Sequence, residues 1–128
     1  MILGLGLDLT EIDRVRLALD KWGDRFVEKL MEEPEASLLP RNREERAIAL
    51  ASAVAGKEAA SKAIGTGWSR GVQWRHVIVL LGREPSVRLE GRAAAVARRL
   101  GGRTSGPLLL ETRGNLVVAE YRLVREST

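Results

Sequence analysis

Apolar and small residues alternate from the first positions. Leu3, Leu5 and Leu7 are separated by Gly4 and Gly6, which predicts a short strand over Ile2 to Asp8 with one apolar face. The glycines leave the other face bare, so another backbone or a ligand can come close there. Helical spacing follows. Thr10 is placed as an N-cap, with Asp13 as a weak capping-box partner. Ile12, Val15, Leu17 and Leu19 then run among Arg14, Arg16, Asp20 and Lys21 in an amphipathic helix. Gly23 interrupts it, and Asp24 caps a continuation carrying Phe26, Val27 and Leu30.

Pro34 and Pro40 bracket a loop or short helix over Glu35 to Leu39. Asn42 with Glu45 three residues later is a stronger start signal. The alanine-rich run from Arg43 to Ile64 predicts a long central helix, ended by Gly65. Its small residues Ala55, Gly56, Ala59 and Ala63 allow neighbours to pack unusually close. Trp74 to Leu81 reads as a buried strand, Gly82 to Pro85 as a turn and Ser86 to Leu89 as a second strand. A short helix follows over Gly91 to Leu100, closed by Gly101 and Gly102. Two last strands, Leu108 to Glu111 and Leu116 to Leu123, form a hairpin around Arg113, Gly114 and Asn115. This order implies one α+β domain over residues 1–128, with a largely antiparallel sheet and its helices packed on one side.

Composition narrows the chemistry. The 128 residues include no cysteine, which excludes disulfide scaffolds, cysteine-ligated metals and thiol nucleophiles. No apolar run reaches the roughly 20 residues of a membrane helix, and the start lacks the features of a signal peptide, so the expectation is a soluble, cytoplasmic protein without a membrane partner. The net charge of +4 favours an anionic partner only weakly, because both signs are interspersed. Few aromatics interleave with the basic residues, which argues against nucleic acid.

The candidate chemistry sits in two places. Asp8 ends the first strand beside glycines, a position that suits a hard-cation ligand and equally a turn or capping residue. Glu58 and Lys62, four apart, share a face of the central helix. They could be a solvated ion pair, or could hold a metal and a phosphate together. Lys57 is the other charge of this alanine-rich stretch. Gly65, Thr66 and Gly67 form either a helix C-cap or a phosphate-approach loop. His76, the single histidine, reads as structural. Arg14, Arg16, Lys21 and Arg25 form a basic cluster on the first helix, either a solvated face or a docking surface for an acidic protein.

In this order the pieces resemble the holo-acyl-carrier-protein synthases, the short class of 4′-phosphopantetheinyl transferases. Gly4 to Val15 is similar to the family's G-x-G-x-D-x-x-E-x-x-R followed by Ile or Val. Lys57 to Gly67 is similar to its K-E-A-x-x-K-A-x-G-T-G. The resemblance implies the 4′-phosphopantetheinyl transferase fold and Mg²⁺-dependent transfer of phosphopantetheine from coenzyme A to a serine of an acyl carrier protein. Adenosine 3′,5′-bisphosphate is released, in fatty acid biosynthesis. It implies that Asp8 and Glu58 ligate Mg²⁺, that Lys62 neutralises phosphate, and that Gly65, Thr66, Gly67, Arg83 and Pro85 line the coenzyme A site. Asp8, Glu58 and Lys62 are then catalytic. The acceptor of the serine proton is left open between a metal-bound water and a carboxylate such as Glu35. Arg14, Arg16, Lys21 and Arg25 would dock the carrier, and the family's homotrimeric assembly implies active sites shared between subunits. The chain departs from the pattern at Ala53, Val54 and Gly56, and at Leu109 to Thr112, where the family often has a histidine. The alternative is a non-catalytic module that binds an acidic carrier through the basic first helix.

Overall fold

The structure, a computed structural model, describes residues 1–127 and is organised around α4 (Arg43–Ala63). The Asn42 side chain accepts the Glu45 backbone N–H at 3.0 Å, so α4 starts where the capping signal placed it. Five strands lie under it: β1 (Ile2–Glu11), β2 (Val77–Leu80), β3 (Ser86–Leu89), β4 (Ser105–Arg113) and β5 (Leu116–Val124). They form one sheet in the order β1-β5-β4-β3-β2, with every neighbouring pair antiparallel. The remaining helices are α1 (Ile12–Trp22), α2 (Asp24–Leu30), α3 (Glu33–Ala36) and α5 (Gly91–Arg99). The α+β architecture is as expected. A single core joins buried residues of α1, α2, α4 and α5 to the inward residues Val79, Val87, Leu108, Val117 and Tyr121 of the sheet.

The bare face of β1 is explained by α4. A Cβ on Gly4 would lie 1.9 Å from the Ala63 carbonyl oxygen, and one on Gly6 only 1.7 Å from that of Ala59. Strand backbone therefore presses directly on helix backbone, which only glycine permits. On another side of α4, Gly56 makes room for sheet side chains instead, since a Cβ there would lie 2.6 Å from Leu108 Cδ2 and 3.1 Å from Val79 Cγ2. Because side chains alternate along a strand, Leu5, Leu7 and Leu9 point the other way, and each is more than half exposed. Leu109 of β4 is exposed on the same outer face, but Glu120 of β5 lies between it and Leu7, so the apolar positions of β1 and β4 are separated there by charge.

Several boundaries differ from expectation. β1 runs on to Glu11, so Thr10 is a strand residue and not a cap. The start of α1 is held from far away: the Asn115 side chain accepts the Asp13 N–H at 2.9 Å, and its carbonyl accepts the Ile12 N–H at 2.8 Å. Gly23, at φ 55°, breaks α1 from α2 as expected, but the Asp24 side chain makes no cap and faces Arg46 at 3.6 Å instead. Trp74–His76 is a 3₁₀ turn rather than the start of β2, because His76 Nδ1 accepts the Gln73 N–H at 3.0 Å. That contact confirms a structural role for His76. β4 is longer than expected because Ser105, Gly106 and Pro107 pair with β3. Among the described residues, no helix is long and apolar enough to cross a membrane.

Candidate active site

Residues 4, 6, 8 and 10 of β1 share the face that meets α4. The glycines end at Gly6, and the next side chain on that face is Asp8. Since Gly4 faces Ala63 and Gly6 faces Ala59, Asp8 lies further toward the middle of α4, in a cleft with Val54 and Glu58. Asp8 Oδ1 accepts a hydrogen bond from Lys62 Nζ at 3.0 Å, and Oδ2 accepts one from the Thr10 hydroxyl at 3.0 Å. Asp8 and Glu58 line the same open cleft of about 310 Å³, together with Thr10, Arg14, Phe26 and Val54. Residues fifty positions apart in the chain thus converge on one surface. Among the described residues, no group of three or more His, Asp or Glu side chains could cage a metal. Two partly buried carboxylates lining a cleft that opens on solvent fit Mg²⁺, which keeps several waters and takes further oxygens from substrate phosphate.

Lys57 and Glu35 lie elsewhere. Successive residues on a helix point about 100° apart, so Lys57 does not share the face of Glu58. Its ammonium is fully buried, 3.0 Å from the Glu35 carboxylate, and donates to the carbonyls of Trp74 and Val77. Glu35 also accepts the Val79 N–H at 3.0 Å. Burial pushes the Lys57 pKa down, and the Glu35 charge partly opposes that shift. Glu35 is thereby committed to a structural pair away from the cleft, which removes it as the carboxylate that could take the serine proton. The sequence sets Lys57 beside Glu58 and Lys62 as one of the few charges of the helix, without separating its side from theirs. Helical spacing was the available signal that it belongs on another face.

The Gly65–Gly67 loop closes α4. The Gly65 N–H donates to Lys62 and the Gly67 N–H to Ser61, both at 3.0 Å, and both glycines have positive φ. Neither N–H is free to cradle a phosphate, so the capping alternative describes this backbone. Thr66 is buried, and Trp68 stacks on Trp74 with ring centroids 4.1 Å apart. Arg83 and Pro85 are not brought to the cleft within one chain. They belong to the β2–β3 turn, and three strand spacings, about 14 Å, separate β1 from β3.

The basic cluster divides. Arg16 is turned onto α4, bonded to Glu44 at 2.7 Å and to Asp13, and is not offered for docking. Arg14 is 82% exposed beside the cleft, while Lys21 and Arg25 are exposed further along. Trp22 and Phe26, flanked by Arg25 and Lys29, form an adjoining notch of about 320 Å³ that the charge pattern alone did not reveal.

The sequence pattern of the 4′-phosphopantetheinyl transferase superfamily matches residues 4–114. The chain belongs to that superfamily. A holo-(acyl-carrier-protein) synthase of Solibacter usitatus is 40% identical over 105 residues, spanning 79% of this chain and 82% of the relative. The synthase structure of Neisseria meningitidis superposes with a TM-score of 0.83 at 24% identity, covering 98% of this chain and all of the other. That of Bacillus anthracis, solved in complex with coenzyme A, gives 0.71 at 26% identity over 98% of this chain and 99% of the other. Membership of the superfamily agrees with the resemblance carried by Gly4 to Val15 and Lys57 to Gly67.

Proposed function

We propose that this chain, acting as one domain over residues 1–128, is a holo-acyl-carrier-protein synthase. It moves the 4′-phosphopantetheine group of coenzyme A to a serine hydroxyl of an apo acyl carrier protein of fatty acid biosynthesis, in the cytoplasm. The observation that carries this reading is the meeting of Asp8 and Glu58 in one open cleft that the exposed Arg14 flanks, with Lys62 hydrogen-bonded to Asp8.

The serine oxygen forms a bond to the β-phosphorus of coenzyme A, and the bridging P–O bond breaks, releasing adenosine 3′,5′-bisphosphate. Asp8 and Glu58 would hold Mg²⁺, which when bound supplies charge stabilisation at the diphosphate. Lys62, on a flexible stem at the rim, would place an ammonium against the phosphate charge that grows on the leaving group. Glu58, whose carboxylate has no hydrogen-bond partner among the described residues, is the acceptor at hand for the serine proton. Arg14, Lys21 and Arg25 present positive charge to an acidic carrier, and the Trp22–Phe26 notch gives an apolar side chain of that carrier somewhere to insert.

The assembly we propose is a homotrimer. The exposed Leu5, Leu7 and Leu9 along β1 are the kind of apolar surface that a second copy covers, with the polar Glu120 and Arg122 of β5 beside them. Placing the Arg83–Pro85 turn of one subunit near the cleft of the next reconciles their separation within one chain with a shared coenzyme A site, to which Gly65, Thr66 and Gly67 contribute surface. Light scattering after gel filtration should report three copies, and a monodisperse monomer overturns this assembly.

Incubation with apo carrier, coenzyme A and Mg²⁺ should add one phosphopantetheine to the carrier, read by mass spectrometry. Asp8→Ala and Glu58→Ala should each slow transfer by about a hundredfold or more while the fold persists. A carrier that binds in calorimetry without ever being modified would instead establish the non-catalytic module.

A further inference from the structure

The cleft holds its own cation. Lys62 Nζ sits 3.0 Å from Asp8 Oδ1 and 3.2 Å from the Leu7 carbonyl, while the Thr10 hydroxyl engages the other Asp8 oxygen. The Asp8 side chain is only 14% exposed, because the glycine face of β1 draws it against α4. A carboxylate so shielded from water needs a counter-charge. Lys62 supplies it, yet Lys62 is itself half exposed, and its contacts are to two adjoining residues of one strand. Among the described residues, no polar partner holds it from a second direction. Its four-carbon stem can swing to solvent without disturbing α4.

We propose that Lys62 is a placeholder cation: it occupies Asp8 until a divalent metal arrives, and it is then released toward the substrate's diphosphate. This rests on the assignment of Asp8 as a metal ligand made above, and it adds an order to that site. The ammonium and the metal compete for one carboxylate. Metal alone must therefore displace Lys62, whereas metal arriving with a diphosphate offers Lys62 a new anionic partner. Two ligands that each relieve the other's competitor bind cooperatively, and linkage requires the effect to be reciprocal. The free protein is thus kept from holding metal unproductively, and the same ammonium is delivered where phosphate charge accumulates. Thr10 keeps the second Asp8 oxygen oriented while the first changes partner.

The test is metal binding by the substrate-free protein, with Mn²⁺ as a spectroscopic stand-in for Mg²⁺. Free Mn²⁺ is followed by electron paramagnetic resonance across a titration of wild type, Lys62→Met and Arg14→Ala. Arg14 lines the same cleft but, among the described residues, pairs with Glu11 and not with Asp8, so Arg14→Ala removes one positive charge without removing the competitor. Lys62→Met should bind Mn²⁺ about three- to tenfold more tightly than wild type, the range expected when a half-exposed ion pair no longer competes. Arg14→Ala should move affinity by less than about twofold. Unchanged or weaker binding by Lys62→Met overturns the placeholder role and leaves the metal assignment standing. Equal tightening in both variants also overturns it, since a general field effect would then suffice. If Asp8→Ala binds Mn²⁺ as well as wild type does, the metal assignment itself fails, and the placeholder falls with it.

Discussion

Two lysines of α4, Lys57 and Lys62, each sit 3.0 Å from a carboxylate, yet the two sides of the helix treat them differently. Lys57 and Glu35 are 0% and 3% exposed, and Lys57 is held by acceptors from α3, the 3₁₀ turn and β2. Lys62 and Asp8 are 50% and 14% exposed, and among the described residues the Lys62 ammonium finds its polar partners on β1. Distance does not distinguish the pairs. Burial and the number of elements engaged do. A charge fastened from several directions in a dry interior cannot change partners without breaking the packing, so it is structural. A charge held from one direction at the rim can be traded, and that is what a site handling metal and phosphate requires.

The sharpest way to break this contrast is on the buried side. Lys57→Met strands the Glu35 carboxylate and two carbonyls, so it should lower unfolding stability by about 3–5 kcal/mol in urea titrations. The double variant Lys57→Met/Glu35→Leu should recover part of that loss, because no charge is left stranded. Next comes the contact that presents Asp8. Gly6→Ala forces a Cβ into the Ala59 carbonyl and should cost about 3 kcal/mol, with Asp8 drawn away from Lys62. On the exposed side the pattern should reverse. Lys62→Met should cost about 1–2 kcal/mol, well below Lys57→Met, yet reduce transfer about a hundredfold. A Lys62 variant as unstable as Lys57→Met would erase the distinction.

The smallest effect is a pH dependence at another exposed pair. The Arg43 guanidinium, bonded to Asp20, holds that carboxyl below its usual pKa. The unfolded chain therefore takes up this proton first on acidification. Stability from the pair is present above the ordinary carboxylate range and is lost as pH falls through the lowered pKa. Asp20→Asn should show a shallower fall in urea midpoint between pH 5 and pH 2 than wild type.

What was legible in the sequence was local. The Asn42 cap, the alanine run, the break at Gly23 and the hairpin around Gly114 each depend on neighbours within a few positions, and each stands in the structure. Gly4 and Gly6 correctly announced a close backbone contact. What was missed was decided at long range. Nothing near Thr10 reveals that Asn115 caps α1, since the two segments lie 102 residues apart. Lys57 resembles its exposed neighbours until Glu35 is seen to meet it. Arg16 reads as one of four free cations until Glu44 of α4 closes on it. The cleft itself was inferred from two motifs resembling a family, whereas the notch at Trp22 and Phe26 needed the packing of α1 against α2.

Asn115 also limits how the molecule can vary. Turns between strands usually tolerate added residues, because only solvent notices them. Here the tip of the β4–β5 hairpin is a latch, its side chain and carbonyl both gripping the first turn of the helix that carries Arg14. One extra residue at Gly114 would leave the sheet paired but would let that helix drift at its root.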